Sequence, residues 1–80
     1  MKTAPEKVAS FILSLLPSEA SNNILIPLPL SRQEIGEMLG LTVETVSRIF
    51  SRFQKAKLLH VEKREIQILD LEKLKTLARF

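Results

Sequence analysis

Three side chains in one short run can do related chemistry. Glu44, Ser47 and Arg48 stand in the stretch ETVSR. An arginine fork donates two parallel hydrogen bonds to guanine, a glutamate accepts from cytosine N4, and a serine both donates and accepts. A short serine also lets a helix approach closely. These groups act together only if they share a face. At about 100° per helical residue, with Glu44 at zero, Ser47, Arg48, Ser51, Arg52 and Lys55 lie within about 80° of it. On the same count Val46, Ile49, Phe50 and Phe53 lie between about 140° and 240°. One side is apolar and the other polar, which predicts a surface helix with a defined buried face. A polar face is also what any solvated helix presents, and Glu44 also suits the positive end of the helix dipole. Against the solvated reading, the face carries Arg48, Arg52 and Lys55 against a single acid.

Around this triplet lie groups suited to phosphate. Thr42 and Thr45 stand at the start of the helix, where hydroxyls and amides position a duplex without reading its sequence. Arg52 and Lys55 extend the basic side, and Lys63 and Arg64 form a second basic point further along. Each lysine here could equally be a solvated surface charge. Arg32 begins an earlier helix, at the end of the dipole that disfavours a cation; a nearby phosphate or plain exposure would offset this.

Composition narrows the alternatives. Eighty residues suit one small domain. With no cysteine and one histidine, His60, the chain has no disulfide, thiolate metal site, Cys nucleophile or His pair. Glu34, Glu37 and Ser47 have no spacing that supports a Ser–His–Asp arrangement, so no enzyme is expected. The net charge of +3 is a mild bias that permits a nucleic-acid partner without establishing one. Four phenylalanines and no Trp or Tyr give little basis for stacking on single strands. No apolar run reaches the roughly 18–20 residues of a membrane span. The opening MKTAPEKVASFILSLL has lysines before an apolar stretch, but Glu6 interrupts it and the apolar spacing is helical.

The elements that must hold these residues can be read in order. A helix is expected over residues 5–16, with Pro5 in its first turn, an apolar stripe from Val8 to Leu16, and Pro17 ending it. Ile24–Ile26 form a short strand, kept short or at an edge by Pro27 and Pro29. Ser31 and Glu34 have the spacing of a capping box for a helix over 32–39, with Ile35, Met38 and Leu39 as its apolar face. Gly40 ends that helix in a left-handed conformation, and Thr42 caps the next, 43–56. Gly36 removes a side chain where the following helix could come close. Ile35, Leu39, Leu41, Val46 and Ile49 then form a shared small core. Alternation predicts strands 59–62 and 65–69 with Lys63 and Arg64 at their tip, a turn without Gly or Asn. Asp70 caps a last helix over 71–79, with Leu71, Leu74, Leu77 and Ala78 inward.

Two helices joined by a short turn containing Gly are the signature of a helix-turn-helix, although Gly36 and Gly40 could also be ordinary helix and cap residues. The segment LSRQEIGEMLGLTVETVSRIFSRFQKAKLL, residues 30–59, resembles the DNA-binding domain of the Crp/Fnr superfamily, in particular its fumarate-nitrate reductase regulator branch. The likeness extends more loosely over KVASFILSLL and EIQILDLEKLKTLA. It implies a mainly α domain with a small antiparallel sheet, a winged helix-turn-helix, over residues 1–80. It also implies a homodimeric bacterial transcription factor, of which this chain would be the DNA-binding part of a longer sensor-regulator. By the branch's pattern Glu44, Ser47 and Arg48 read a half-site of the TTGAT type, and Thr45 touches phosphate. Val43 and Ser47 depart from the cyclic-AMP receptor branch, which has Arg and Gly there. Lys63 departs from the glycine common in wings of the Fnr branch. No cofactor is expected in this chain; the signal ligand or cluster belongs to a longer protein and is not legible here. The resemblance further implies a cytoplasmic location, no membrane partner, and RNA polymerase as a partner of the longer protein. The competing reading is a winged-helix protein-interaction module without DNA affinity, since a fold does not fix a function. Such a module would more often expose Leu, Met or aromatic residues on the third helix.

Overall fold

The computed structural model describes residues 2–78. The order is α1 (Ala4–Ser14), β1 (Leu25–Pro27), α2 (Arg32–Leu39), α3 (Val43–Lys55), β2 (Leu59–Glu62), β3 (Glu65–Ile68) and α4 (Leu71–Ala78). The four helices stand with a three-stranded antiparallel sheet in the order β1-β3-β2. The architecture is a mainly helical winged helix-turn-helix. Arg79, the end expected for the last helix, lies outside the described residues.

Local chemistry sets the boundaries. Thr3 caps α1 through a full capping box with Glu6, so the helix begins at Ala4, one residue before the expected Pro5. It ends at Ser14 instead of residue 16. Leu15 and Leu16 donate to Ile12 and Leu13, three residues back, so the last turn tightens ahead of Pro17. Ser31 and Glu34 build the expected box on α2. Thr42 accepts from the Thr45 amide at 3.1 Å and starts α3. That helix closes at Lys55, one residue short of expectation, in a Schellman arrangement. Leu58 N–H reaches Phe53 O at 2.9 Å, Lys57 N–H reaches Gln54 O at 3.0 Å, and Lys57 takes the left-handed conformation that glycine usually fills. Asp70 accepts from Lys73 N–H at 3.1 Å, while Asn22 accepts from Leu71 N–H at 2.8 Å, so two side chains hold the start of α4.

The strand β1 runs one residue further than its apolar letters suggest and includes Pro27. Ile68 N–H donates to Ile24 O and Leu28 N–H to Arg64 O, with Ile26 opposite Ile66. The backbone groups of Ile26 and Leu28 therefore face β3, and Pro27 turns its hydrogen-less nitrogen away from the ladder. Ile24 lies just before the strand and Leu25 is exposed. At the opposite edge, Gln54 of α3 accepts from Val61 N–H at 3.1 Å. The strand β3 stops at Ile68, one residue short of expectation, because Leu69 and Asp70 donate to Leu58 O instead of continuing the ladder.

One core joins these layers. Val8, Ala9, Phe11 and Ile12 of α1 meet Ile35 of α2, Val46, Ile49, Phe50 and Phe53 of α3, Leu59, Ile66 and Ile68 of the sheet, and Leu71, Leu74 and Ala78 of α4. Each fully buried large side chain contributes about 1.5–3 kcal/mol. Met38 corrects the expected apolar face of α2: it is 54% exposed, while Ile35 carries the contact and Leu39 and Leu41 are only partly covered. Leu77 is likewise only partly buried.

Gly36 and Gly40 act differently. Gly40 adopts φ 74°, and a Cβ there would meet open space. At Gly36 a Cβ would lie 2.4 Å from the Leu41 carbonyl oxygen. The close neighbour is thus the backbone of the turn, not the body of the next helix. Gly36 O also receives the Gly40 N–H and the Leu41 N–H, the latter at 2.7 Å. Gly36→Ala should therefore cost about 3 kcal/mol, as overpacking against backbone does. Gly40→Ala should cost about 1 kcal/mol, as left-handed strain does. Urea unfolding followed by circular dichroism orders the two; an equal or smaller loss at Gly36 would contradict the contact.

Candidate nucleic-acid interface

The interface is built from the start of α3. Burial of Val46, Ile49, Phe50 and Phe53 fixes the roll of the helix, so the opposite face must look outward. Glu44 and Arg48 are exposed and Ser47 is partly so. Among the described residues none of the three has a hydrogen-bond or ion-pair partner within the chain. Their donors and acceptors are therefore open to a ligand. They stand together on the first turns of a 13-residue helix whose first residue follows the turn directly.

Thr42 and Thr45 form a linked pair at that helix end. The Thr42 hydroxyl donates to the Thr45 hydroxyl at 2.9 Å while accepting from the Thr45 amide. In this arrangement the Thr45 proton can be donated outward. The first-turn amides of α3 add a partial positive charge beside it. Arg52 and Lys55 are exposed further along the same helix. Lys55 lies about 16 Å of axial rise from Glu44, at about 1.5 Å per residue, and so extends the surface instead of joining the triplet.

Lys63 and Arg64 occupy the exposed hairpin tip, between the paired Glu62 and Glu65. Lys63 has φ 55°, the backbone region in which glycine is at ease. At the position where the resemblance implies glycine, the lysine thus adopts the glycine-type conformation. The hairpin tip meets the start of α2 across a notch of about 220 Å³ lined by Leu28, Leu30, Ser31, Arg32, Lys63 and Arg64. The sequence suggests Arg32 only as an ill-placed cation; it does not show this juxtaposition. In the fold the Arg32 guanidinium lies 5.2 Å from the centroid of the Phe50 ring, and its buried Nε has no hydrogen-bond partner. The aromatic face offsets the unfavourable helix end and holds the fork beside the two tip cations.

Glu34 is bonded to Ser31, one of the residues lining this basic notch. Its carboxylate accepts from the Ser31 backbone N–H at 2.8 Å and is held below its ordinary value of 4.5. The main cause is that backbone hydrogen bond, followed by the Ser31 side chain, with Arg64 adding a smaller attraction. His60 faces solvent 3.7 Å from Glu62 and takes no part. Among the described residues no His, Asp and Glu cluster could hold a metal ion, and no helix is long and apolar enough to cross a membrane.

Known proteins resemble this chain in sequence and in fold. The sequence model of the Crp-like helix-turn-helix domain matches residues 6–77. The transcriptional activator protein FnrA of Stutzerimonas stutzeri is 47% identical over 72 residues, covering 86% of this chain and 30% of that protein. The transcriptional activator protein Anr of Pseudomonas protegens is 44% identical over 80 residues, covering 96% of this chain and 33% of its own length. The structure of FixK2 from Bradyrhizobium japonicum superposes with a TM-score of 0.85 at 38% identity, covering 99% of this chain and 40% of that one. The chain thus spans about a third of the length of the relatives it matches.

The lowered carboxyl of Glu34 makes a pH prediction. Its contribution is complete above the ordinary carboxylate value and is lost as pH falls through the depressed one. Glu34→Gln keeps an acceptor for Ser31 but cannot titrate. Between about pH 7 and about pH 3 the variant should lose less stability than the parent chain in urea unfolding. Identical acid limbs would show that the capping carboxylate is not what titrates.

Proposed function

The chain belongs to the Crp-like helix-turn-helix family, and on that footing we propose that it binds duplex DNA sequence-specifically, with α3 in the major groove, to regulate bacterial transcription. The observation that carries this is the unpartnered triplet Glu44, Ser47 and Arg48 on the outward face of a helix locked by its buried side. Arg48 donates its fork to guanine, Glu44 accepts from cytosine, and Ser47 contacts a base edge at close approach. Thr42, Thr45, Arg52, Lys55, Lys63 and Arg64 contact phosphates and set the register, and Arg32 joins them from the notch. The expected half-site is of the TTGAT type.

FnrA and Anr are named transcriptional activators, which favours the same role here. In the longer protein two copies pair, so that two α3 helices reach half-sites about one turn of DNA apart. RNA polymerase is then the protein partner and the cytoplasm the place of action. Recognition by these side chains requires no cofactor and no catalysis. A protein-docking use of α3 would require an apolar outward face. Only Val43 breaks the polar character at its start, at 45% exposure.

Fluorescence anisotropy with a TTGAT-type palindrome and a scrambled duplex, at matched salt, tests the reading. The palindrome should bind more tightly; equal affinities would remove specific recognition. Arg48→Ala should remove about 1–3 kcal/mol of that discrimination. Arg52→Ala should weaken both duplexes alike and lower the salt slope by about one.

A further inference from the structure

The helix α2 ends without a cation of its own. Its last turn contains no basic residue and holds Glu37. The carbonyls of a helix's final turn carry partial negative charge and need donors. Gly36 O is satisfied by the turn. Leu39 O, one residue before the Gly40 reversal, is instead reached by Lys7 Nζ at 3.3 Å. Lys7 comes from α1, 32 positions earlier, and the bond is partly buried. The next residues of α1, Val8, Ala9, Phe11 and Ile12, are buried in the core, and α1 also packs against α3. A charged donor anchored in one rigid element therefore grips the pivot between the two others.

We propose that Lys7 is a positioning residue for DNA recognition: its ammonium clamps the Leu39 carbonyl and so fixes the Gly40 turn that aims Glu44, Ser47 and Arg48. The part concerning DNA rests on the function proposed above; the clamp itself does not. The ammonium is engaged by a backbone carbonyl and touches no base. Its effect passes through the turn: if the carbonyl is released, the reversal gains freedom and the start of α3 is held less tightly. Specific recognition depends on the angle of that helix, whereas attraction to the phosphate backbone depends mainly on charge.

Two variants and two readouts test this on the 80-residue chain. Lys7→Met keeps the aliphatic stem without the charge, and Lys7→Arg keeps a donor. With Lys7→Met, affinity for the TTGAT-type palindrome should fall about three- to tenfold, the size expected for loss of a helix-terminal cation. Affinity for the scrambled duplex and the slope against salt should stay nearly unchanged, and Lys7→Arg should restore discrimination. Without DNA, Lys7→Met should speed hydrogen exchange at the Gly40 and Leu41 amides while leaving Ile66 in the sheet protected. Equal weakening of both duplexes, with a salt slope lower by about one, would make Lys7 a phosphate contact and overturn the proposal. Unchanged exchange at Gly40 and Leu41 would overturn it as well. If the parent chain fails to discriminate between the duplexes, the DNA reading falls, and exchange alone decides the clamp.

Discussion

The domain depends on the contact between the turn and Gly36. The Leu41 carbonyl occupies the space that any other side chain at position 36 would need. Only with that space empty can the chain fold back over α2 within a few residues. The same glycine's carbonyl gathers the Gly40 and Leu41 amides, so the reversal is held from both sides. From this point the geometry is determined. Thr42 caps the next helix, burial of Val46, Ile49, Phe50 and Phe53 sets its roll, and the polar residues face outward as a consequence. The function proposed for α3 is therefore an outcome of how tightly two backbone segments approach.

Electrostatics then sorts the outward surface. Arg48, Arg52, Lys55, Lys63 and Arg64 are all exposed, while Glu44 is the single acid on the polar side of α3. Glu34 is bound to its own helix start, which keeps a carboxylate beside the notch from competing freely for its cations. Arg32 is set against an aromatic ring, so a cation that the helix end would repel has a fixed place near the hairpin tip. In relatives named as transcriptional activators the corresponding segment makes up only about a third of the protein. For the recognition proposed above, a net charge of only +3 leaves selectivity to a few fixed side chains.

Much of this was legible in the letters because local rules and the fold agree. The capping pair Ser31 and Glu34, the cap at Thr42 and the apolar spacing of α3 each rest on short-range chemistry, and the structure has them. Departures occur where distant contacts decide. Pro27 joins a strand because its nitrogen faces outward, which no spacing rule reports. Met38 fits an apolar stripe by position, yet no element covers it. Thr3 is the exception: it opens α1 through a local capping box with Glu6, the same spacing as Ser31 and Glu34, in a stretch where Pro5 is the more conspicuous helix-start signal. The triplet on α3 could be named from periodicity. The notch joining Ser31 and Arg32 to the hairpin tip, and the reach of Lys7 to Leu39, could not, because each brings together residues about 32 positions apart.

The two borders of the small sheet share a property with a wider consequence. One border presents the Pro27 nitrogen, and the other has its Val61 amide taken by Gln54. A neighbouring molecule seeking to extend the sheet finds few free amides on either side. Crowded copies are thus discouraged from zipping into shared β-structure, the usual route from a small exposed hairpin to aggregates. The sheet is closed partly by where hydrogen is missing, and the hairpin is left as a separate finger.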